Sequence, residues 1–118
     1  MRKAESDFQL ADAIARRTEP YYDEQCFHCQ QSAEKYLKAL LEELGLLVPR
    51  THKLKDILVF LAPHHPSLIS FGRGLTFLTQ FAVEIRYPGD RSSKRQAASA
   101  LRWAEKVRAA CRAILGLK

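Results

Sequence analysis

Long apolar runs are missing from this 118-residue chain. No segment approaches the roughly 18 consecutive apolar residues that a bilayer-spanning helix needs, so a helical membrane protein is not expected. Cysteine is scarce: Cys26, Cys29 and Cys111 are an odd number, which argues against a disulfide framework and for a reduced, cytoplasmic setting. The opening Met1-Arg2-Lys3-Ala4-Glu5-Ser6-Asp7 mixes charges with no apolar stretch behind it and does not read as a signal peptide. Strand-like alternation, internal repeats and low-complexity linkers are absent too, which leaves neither a sheet protein nor a repeat array.

What is present is helical spacing. Apolar residues make up 47% of the chain, enough for the core of one domain, which at this length buries about 65% of its unfolded surface. Phe8, Ala11, Ile14 and Ala15 mark a first helix, ended by Thr18-Glu19-Pro20. Cys26, Cys29, Ala33, Tyr36, Leu37, Leu40, Leu41 and Leu44 recur every three or four residues in the longest one, and Gly45 fits a left-handed C-cap. Thr51 reads as the N-cap of a short third helix carrying Leu54, Ile57, Leu58 and Leu61. Pro63-His64-His65-Pro66 is a stiff connector. Leu68, Phe71, Leu75, Leu78, Ala82 and Ile85 stripe a fourth helix, weakened at Gly72 and Gly74. A last helix runs from about Ser92 to Leu115. The expectation is a single all-α domain over residues 1–118, an up-and-down bundle of four to five helices.

Charge is distributed unevenly. The net charge is +6, yet residues 86–118 hold nine Lys/Arg against Asp90 and Glu105, and the remainder is close to neutral. Such a bias favours an acidic partner: RNA, a nucleotide phosphate or an acidic protein. On a 100° wheel set at Ala97, the apolar Leu101, Ala104, Cys111 and Leu115 fall within about 40° of zero. Arg95, Arg102 and Lys106 fall at about 140–180°, a basic ridge able to follow a phosphate backbone without reading sequence. Arg86 and Tyr87 sit where a helix gives way to Pro88-Gly89; a guanidinium fork suits phosphate and a phenol ring suits stacking. His52, placed in the first turn of the third helix by the Thr51 cap, is a further candidate for anion contact or proton transfer.

Other groups read as structural. Cys26 and Cys29 share a helix face, but zinc needs four ligands and no second pair exists. A redox pair normally opens a helix after a strand, and no strand is expected. No metal and no cofactor is expected, and His64 and His65 read as connector residues.

Three blocks carry a resemblance: Gln30-Gln31-Ser32-Ala33-Glu34-Lys35-Tyr36-Leu37-Lys38-Ala39-Leu40-Leu41, then Pro49-Arg50-Thr51-His52-Lys53-Leu54, then Arg86-Tyr87-Pro88. In this order and spacing the chain resembles a HEPN domain over roughly residues 7–115. The resemblance implies a homodimer through helix faces, to which Phe77, Phe81 or Trp103 would contribute apolar area. It also implies a nucleotide-, RNA- or partner-binding role. In HEPN ribonucleases an arginine matching Arg86 opens an R-x(4–6)-H motif, but here Arg91, Ser92 and Ser93 occupy the histidine positions. The Arg-Tyr-Pro form is instead similar to small HEPN proteins paired with a minimal nucleotidyltransferase, a toxin–antitoxin-like arrangement. Arg86, Tyr87 and His52 are then the candidate catalytic residues, and Arg86, Tyr87, Arg95, Arg102 and Lys106 the candidate phosphate-binding ones. The alternatives are a metal-independent ribonuclease toxin with a displaced histidine, and a purely structural adaptor.

Overall fold

Among the described residues, spacing of apolar residues at three and four positions gives five α-helices: α1 Arg2–Ala15, α2 Tyr22–Glu43, α3 Leu54–Leu61, α4 Gly72–Thr79 and α5 Lys94–Ile114. A 3-10 segment, Pro66–Phe71, leads directly into α4. The computed structural model describes residues 2–82 and 91–117, and among these there is no strand. Arg86, Tyr87 and Ile85 lie outside the described residues.

Helix α2 is the axis of the bundle, packed chiefly against α1 and α5. Helix α1 runs antiparallel to it, with Glu5 near Tyr36 and Asp7 near His28. Helix α5 runs parallel to it, with Ala97 beside Gln25 and Arg112 beside Tyr36. The shorter α3, 3-10 segment and α4 pack together and cover part of the remaining face of α2. Between them the helices bury Phe8, Tyr36, Leu37, Leu40, Leu41, Leu54, Ile57, Leu61, Leu68, Leu75, Leu78 and Phe81. Full burial of an aliphatic or aromatic side chain contributes about 1.5–3 kcal/mol, so this core is the main source of stability.

The helix ends follow local chemistry. Gly45 has φ +72°, and the Gly45 and Leu46 N–H groups donate to the carbonyls of Glu42 and Leu41. Gly45 is thus the left-handed C-cap expected of α2, and the double closure makes it a Schellman end. Helix α5 begins with a capping box: Ser93 Oγ accepts from Gln96 N–H and the Gln96 side chain accepts from Ser93 N–H. Just before it, Ser92 N–H donates to Asp23 Oδ1 at 2.7 Å, fastening the start of α5 to the start of α2.

Three expectations change. Thr51 does not cap α3, which starts at Leu54; its hydroxyl accepts from Lys53 N–H and donates to Asp56. The α3 end is satisfied across the fold, where Leu54 N–H donates to Thr79 Oγ1 on α4. The fourth helix is not continuous from Leu68: Pro66 opens a 3-10 turn, and α4 proper starts at Gly72 and stops at Thr79. Gly74 is there for contact, since a Cβ at this position would fall 2.2 Å from the Trp103 ring. Trp103 therefore docks within its own chain. Phe81 is also buried, packed edge-on against Phe77 at 5.3 Å between centroids. Phe81 is thus enclosed by its own fold, whereas Trp103 and Phe77 are only partly buried. On α5, Ala100 and Val107 join Ala97, Ala104 and Cys111 in the core, while Leu101 and Leu115 stay partly exposed.

Candidate functional site

Sequence places His52 in a helix; the structure places it before α3, reaching back to α2. His52 Nδ1 lies 2.8 Å from Glu34 Oε1. Glu34 sits in the middle of α2, and its side chain is only 7% exposed against 66% for His52. Gln30 Nε2 donates to the same carboxylate oxygen at 3.0 Å, and Lys38 donates to the other at 3.1 Å. Gln30 also contacts the His52 carbonyl, and Gln31 donates to the Gln30 carboxamide oxygen. Burial pushes the Glu34 carboxyl up, but hydrogen bonds from Gln30, His52 and Lys38 outweigh it and hold the group below its ordinary range. An ionised carboxylate only accepts. His52 Nδ1 therefore carries the proton in this contact, which leaves Nε2 as the basic nitrogen of the neutral ring.

A second carboxylate centre ties α1 to the other helices. Glu5 receives both arms of Arg108 at 2.7 and 2.9 Å, the Tyr36 hydroxyl and Gln9 Nε2. The Arg108 hydrogen bonds, together with those from Tyr36 and Gln9, outweigh burial and hold the Glu5 carboxyl down at about 2. Burial first, and then the bond to Glu5, push the Tyr36 phenol above its ordinary range and keep it protonated. Arg112 stands 3.8 Å from Glu5 and contacts the Tyr36 hydroxyl. Two of the C-terminal cations are thus spent inside the bundle. Asp7, itself buried, pairs with Lys35 and lies 2.8 Å from His28 Nδ1.

The cations left outside are the expected ridge. Arg95, Arg102 and Lys106 are exposed on α5. Arg102 donates to Ser99, and the Lys106 ammonium stands 4.8 Å over the Trp103 ring. No carboxylate neutralises any of the three among the described residues. The far wall of the same helix borders a cleft of about 600 Å³ lined also by the end of α1. Lys53 and Lys55 line a separate recess of about 200 Å³ with Thr76 and Thr79. The ridge and the Glu34–His52 pair are separate features, on α5 and on α2 with its neighbouring loop.

The cysteines behave as core atoms. All three are buried and none forms a disulfide, and burial pushes the Cys29 thiol well up and that of Cys111 to about 12. No group of three or more metal-ligating side chains forms among the described residues, and no described helix is long and apolar enough to cross a membrane. Val59, Phe60 and Ile69 leave apolar surface exposed on α3 and the 3-10 segment.

An all-helical bundle centred on a Gln-Gln-x-x-Glu helix, with a basic C-terminal helix beside it, defines the class. The model of the HEPN domain matches residues 1–114, and the chain belongs to the HEPN family. HEPN domains are in general nucleotide- and RNA-related. No curated protein and no solved structure shows significant similarity to the chain.

Sequence reasoning did not find the role of Glu34. Its signal was present: a glutamate inside the buried stripe of α2, flanked at four-residue spacing by Gln30 and Lys38.

Proposed function

We propose that the protein is a phosphate-recognising HEPN module that binds nucleotide or RNA. It acts in the cytoplasm as a homodimer, paired in toxin–antitoxin fashion with a separately encoded minimal nucleotidyltransferase. The observation that carries the reading is the exposed row Arg95, Arg102 and Lys106, left without carboxylate partners while Arg108 and Arg112 are taken up by Glu5 and Tyr36. A row of unpaired cations along a helix suits a polyanion. Arg86 serves as phosphate clamp and Tyr87 as its stacking neighbour, on the strength of their residue types and the Arg-Tyr-Pro form. The test is fluorescence anisotropy of labelled single-stranded RNA at low salt. Changing Arg95, Arg102 and Lys106 together to Ala is expected to weaken binding at least tenfold, and Arg86→Ala to weaken it further. Equal binding by wild type and the triple variant would contradict the reading, and co-purification without a nucleotidyltransferase would contradict the pairing.

A second reading, a metal-independent ribonuclease, is favoured by one observation: a buried, ionised Glu34 aims an exposed His52. In that reading Nε2 takes the proton of a ribose 2′-hydroxyl as its oxygen attacks the adjacent phosphorus; the bond to the 5′-oxygen of the next nucleotide breaks, giving a 2′,3′-cyclic phosphate, and that oxygen leaves with a proton from solvent water. RNA cleaved without metal by wild type, and left intact by His52→Ala and Glu34→Gln, is the expected signature. Intact RNA with wild type removes this reading and leaves the first in place.

A further inference from the structure

One concavity gathers cations that no acid engages. Arg17, from the turn after α1, joins Lys94 and Arg102, from the first half of α5, around the cleft of about 600 Å³. That is within the size range of small-ligand sites, about 300–1,000 Å³. Glu19 is the one acidic side chain on its wall, and none of the three cations forms an ion pair among the described residues; Arg102 donates only to Ser99. Other recesses among the described residues differ in character: the one on α1 is bordered by Glu5, the one beside Tyr21 sets Asp23 and Glu24 against Arg91, and the one with Lys53 and Lys55 is smaller, about 200 Å³, and carries Asp56 beside them.

The rest of the cleft suits a planar body. The half-buried Tyr22 ring and the partly exposed Leu101 side chain line it. Gln25 is buried on the same wall and donates its Nε2 to the Ala97 carbonyl at 3.0 Å, so α2 and α5 are held in fixed relation across it. Cations at the rim with an aromatic and an apolar surface within reach match the two halves of a nucleotide: a phosphate for the guanidinium forks and a base for the ring. Arg102 belongs both to this rim and to the α5 ridge, whereas Arg95 and Lys106 do not line the cleft.

We propose that this cleft binds a single nucleotide unit, its phosphate on Arg17, Lys94 and Arg102 and its base against Tyr22 and Leu101. The inference rests on the phosphate-recognition reading and names the ligand class and place of one part of it. The unit is either a free mononucleotide or the 5′-phosphorylated end of an RNA strand, since both present the same chemistry.

The test is calorimetric titration with AMP and adenosine, together with anisotropy of a labelled RNA decamer bearing a 5′-phosphate or a 5′-hydroxyl. Ala98 is exposed on the cleft wall, so Ala98→Trp fills the cleft while leaving every charge in place. Lys3→Ala, at the far end of α1, is the control, and circular dichroism melts confirm that each variant folds. Wild type is expected to bind AMP about tenfold or more tighter than adenosine, and Arg17→Ala to lose about tenfold for AMP. Ala98→Trp is expected to abolish AMP binding, with Lys3→Ala unchanged. If AMP binding is seen without a 5′-phosphate preference on RNA, the ligand is the free nucleotide. A 5′-phosphate preference that vanishes in Ala98→Trp identifies a strand end. AMP bound equally by wild type and Ala98→Trp overturns the cleft site. So does RNA binding indifferent to the 5′-phosphate with no AMP binding, although the α5 ridge then still stands. A wild type that binds neither AMP nor RNA contradicts both proposals.

Discussion

Glu5 shows how one carboxylate can hold three helices. It lies on α1, takes both arms of Arg108 from α5 and the hydroxyl of Tyr36 from α2, and its carboxyl is lowered from 4.5 to about 2. A carboxyl depressed in the folded state stabilises it fully above its unfolded value. That stabilisation is lost as pH falls from 4.5 toward 2. The melting temperature of wild type should therefore drop across that window, and Glu5→Gln should flatten this limb while lowering stability at neutral pH. An unchanged acid limb in Glu5→Gln would show that other carboxylates govern it. Gly74 is the second residue on which much depends. Any side chain there meets the Trp103 ring at 2.2 Å, so Gly74→Ala must push the indole or α4 aside. The expected loss is about 1–3 kcal/mol in urea unfolding, and a loss under 0.5 kcal/mol would mean that the ring moves freely.

Among the elements, the helix ends are the sharpest test. Gly45→Ala keeps the contacts of the α2 end, because nothing lies within 4 Å of the added methyl, but forces a side chain to φ +72°. The expected cost is about 1–2 kcal/mol, read as a lower denaturation midpoint with an unchanged slope. Gly45, the α2 stripe and the basic face of α5 were legible because each depends on local rules: a positive φ, a 3.6-residue period, an uninterrupted run. The start of α3 was not. Thr51 has the residue type of a cap, yet its hydroxyl is taken by Lys53 N–H and Asp56, and the cap comes from Thr79, 25 residues away. Gly74 was read as a helix weakener because its reason, Trp103, lies on another helix. His52 was legible as a candidate but not its partner, since a pair 18 residues apart is set by how a loop folds back onto α2. The Arg17–Lys94–Arg102 cleft was invisible for the same reason, being assembled from the two ends of the chain.

For the whole molecule, the decisive fact is where the excess positive charge goes. Arg108 and Arg112 turn inward to Glu5 and Tyr36, Arg17 and Lys94 face the cleft, and Arg95, Arg102 and Lys106 face solvent along α5. A surface of this kind attracts polyanions through counterion release, so its signature is a salt slope and not a single affinity. The measurement that bears most directly on the account is the affinity for single-stranded RNA as a function of salt concentration, for wild type and for Arg95/Arg102/Lys106→Ala. Each phosphate contact on a single strand contributes about 0.7 to the slope of log K against log salt. Three lost contacts should therefore make the slope shallower by about 2. A steep slope in wild type that flattens by that amount in the variant is the predicted result; identical slopes, or no RNA binding by wild type at low salt, would contradict phosphate recognition by α5.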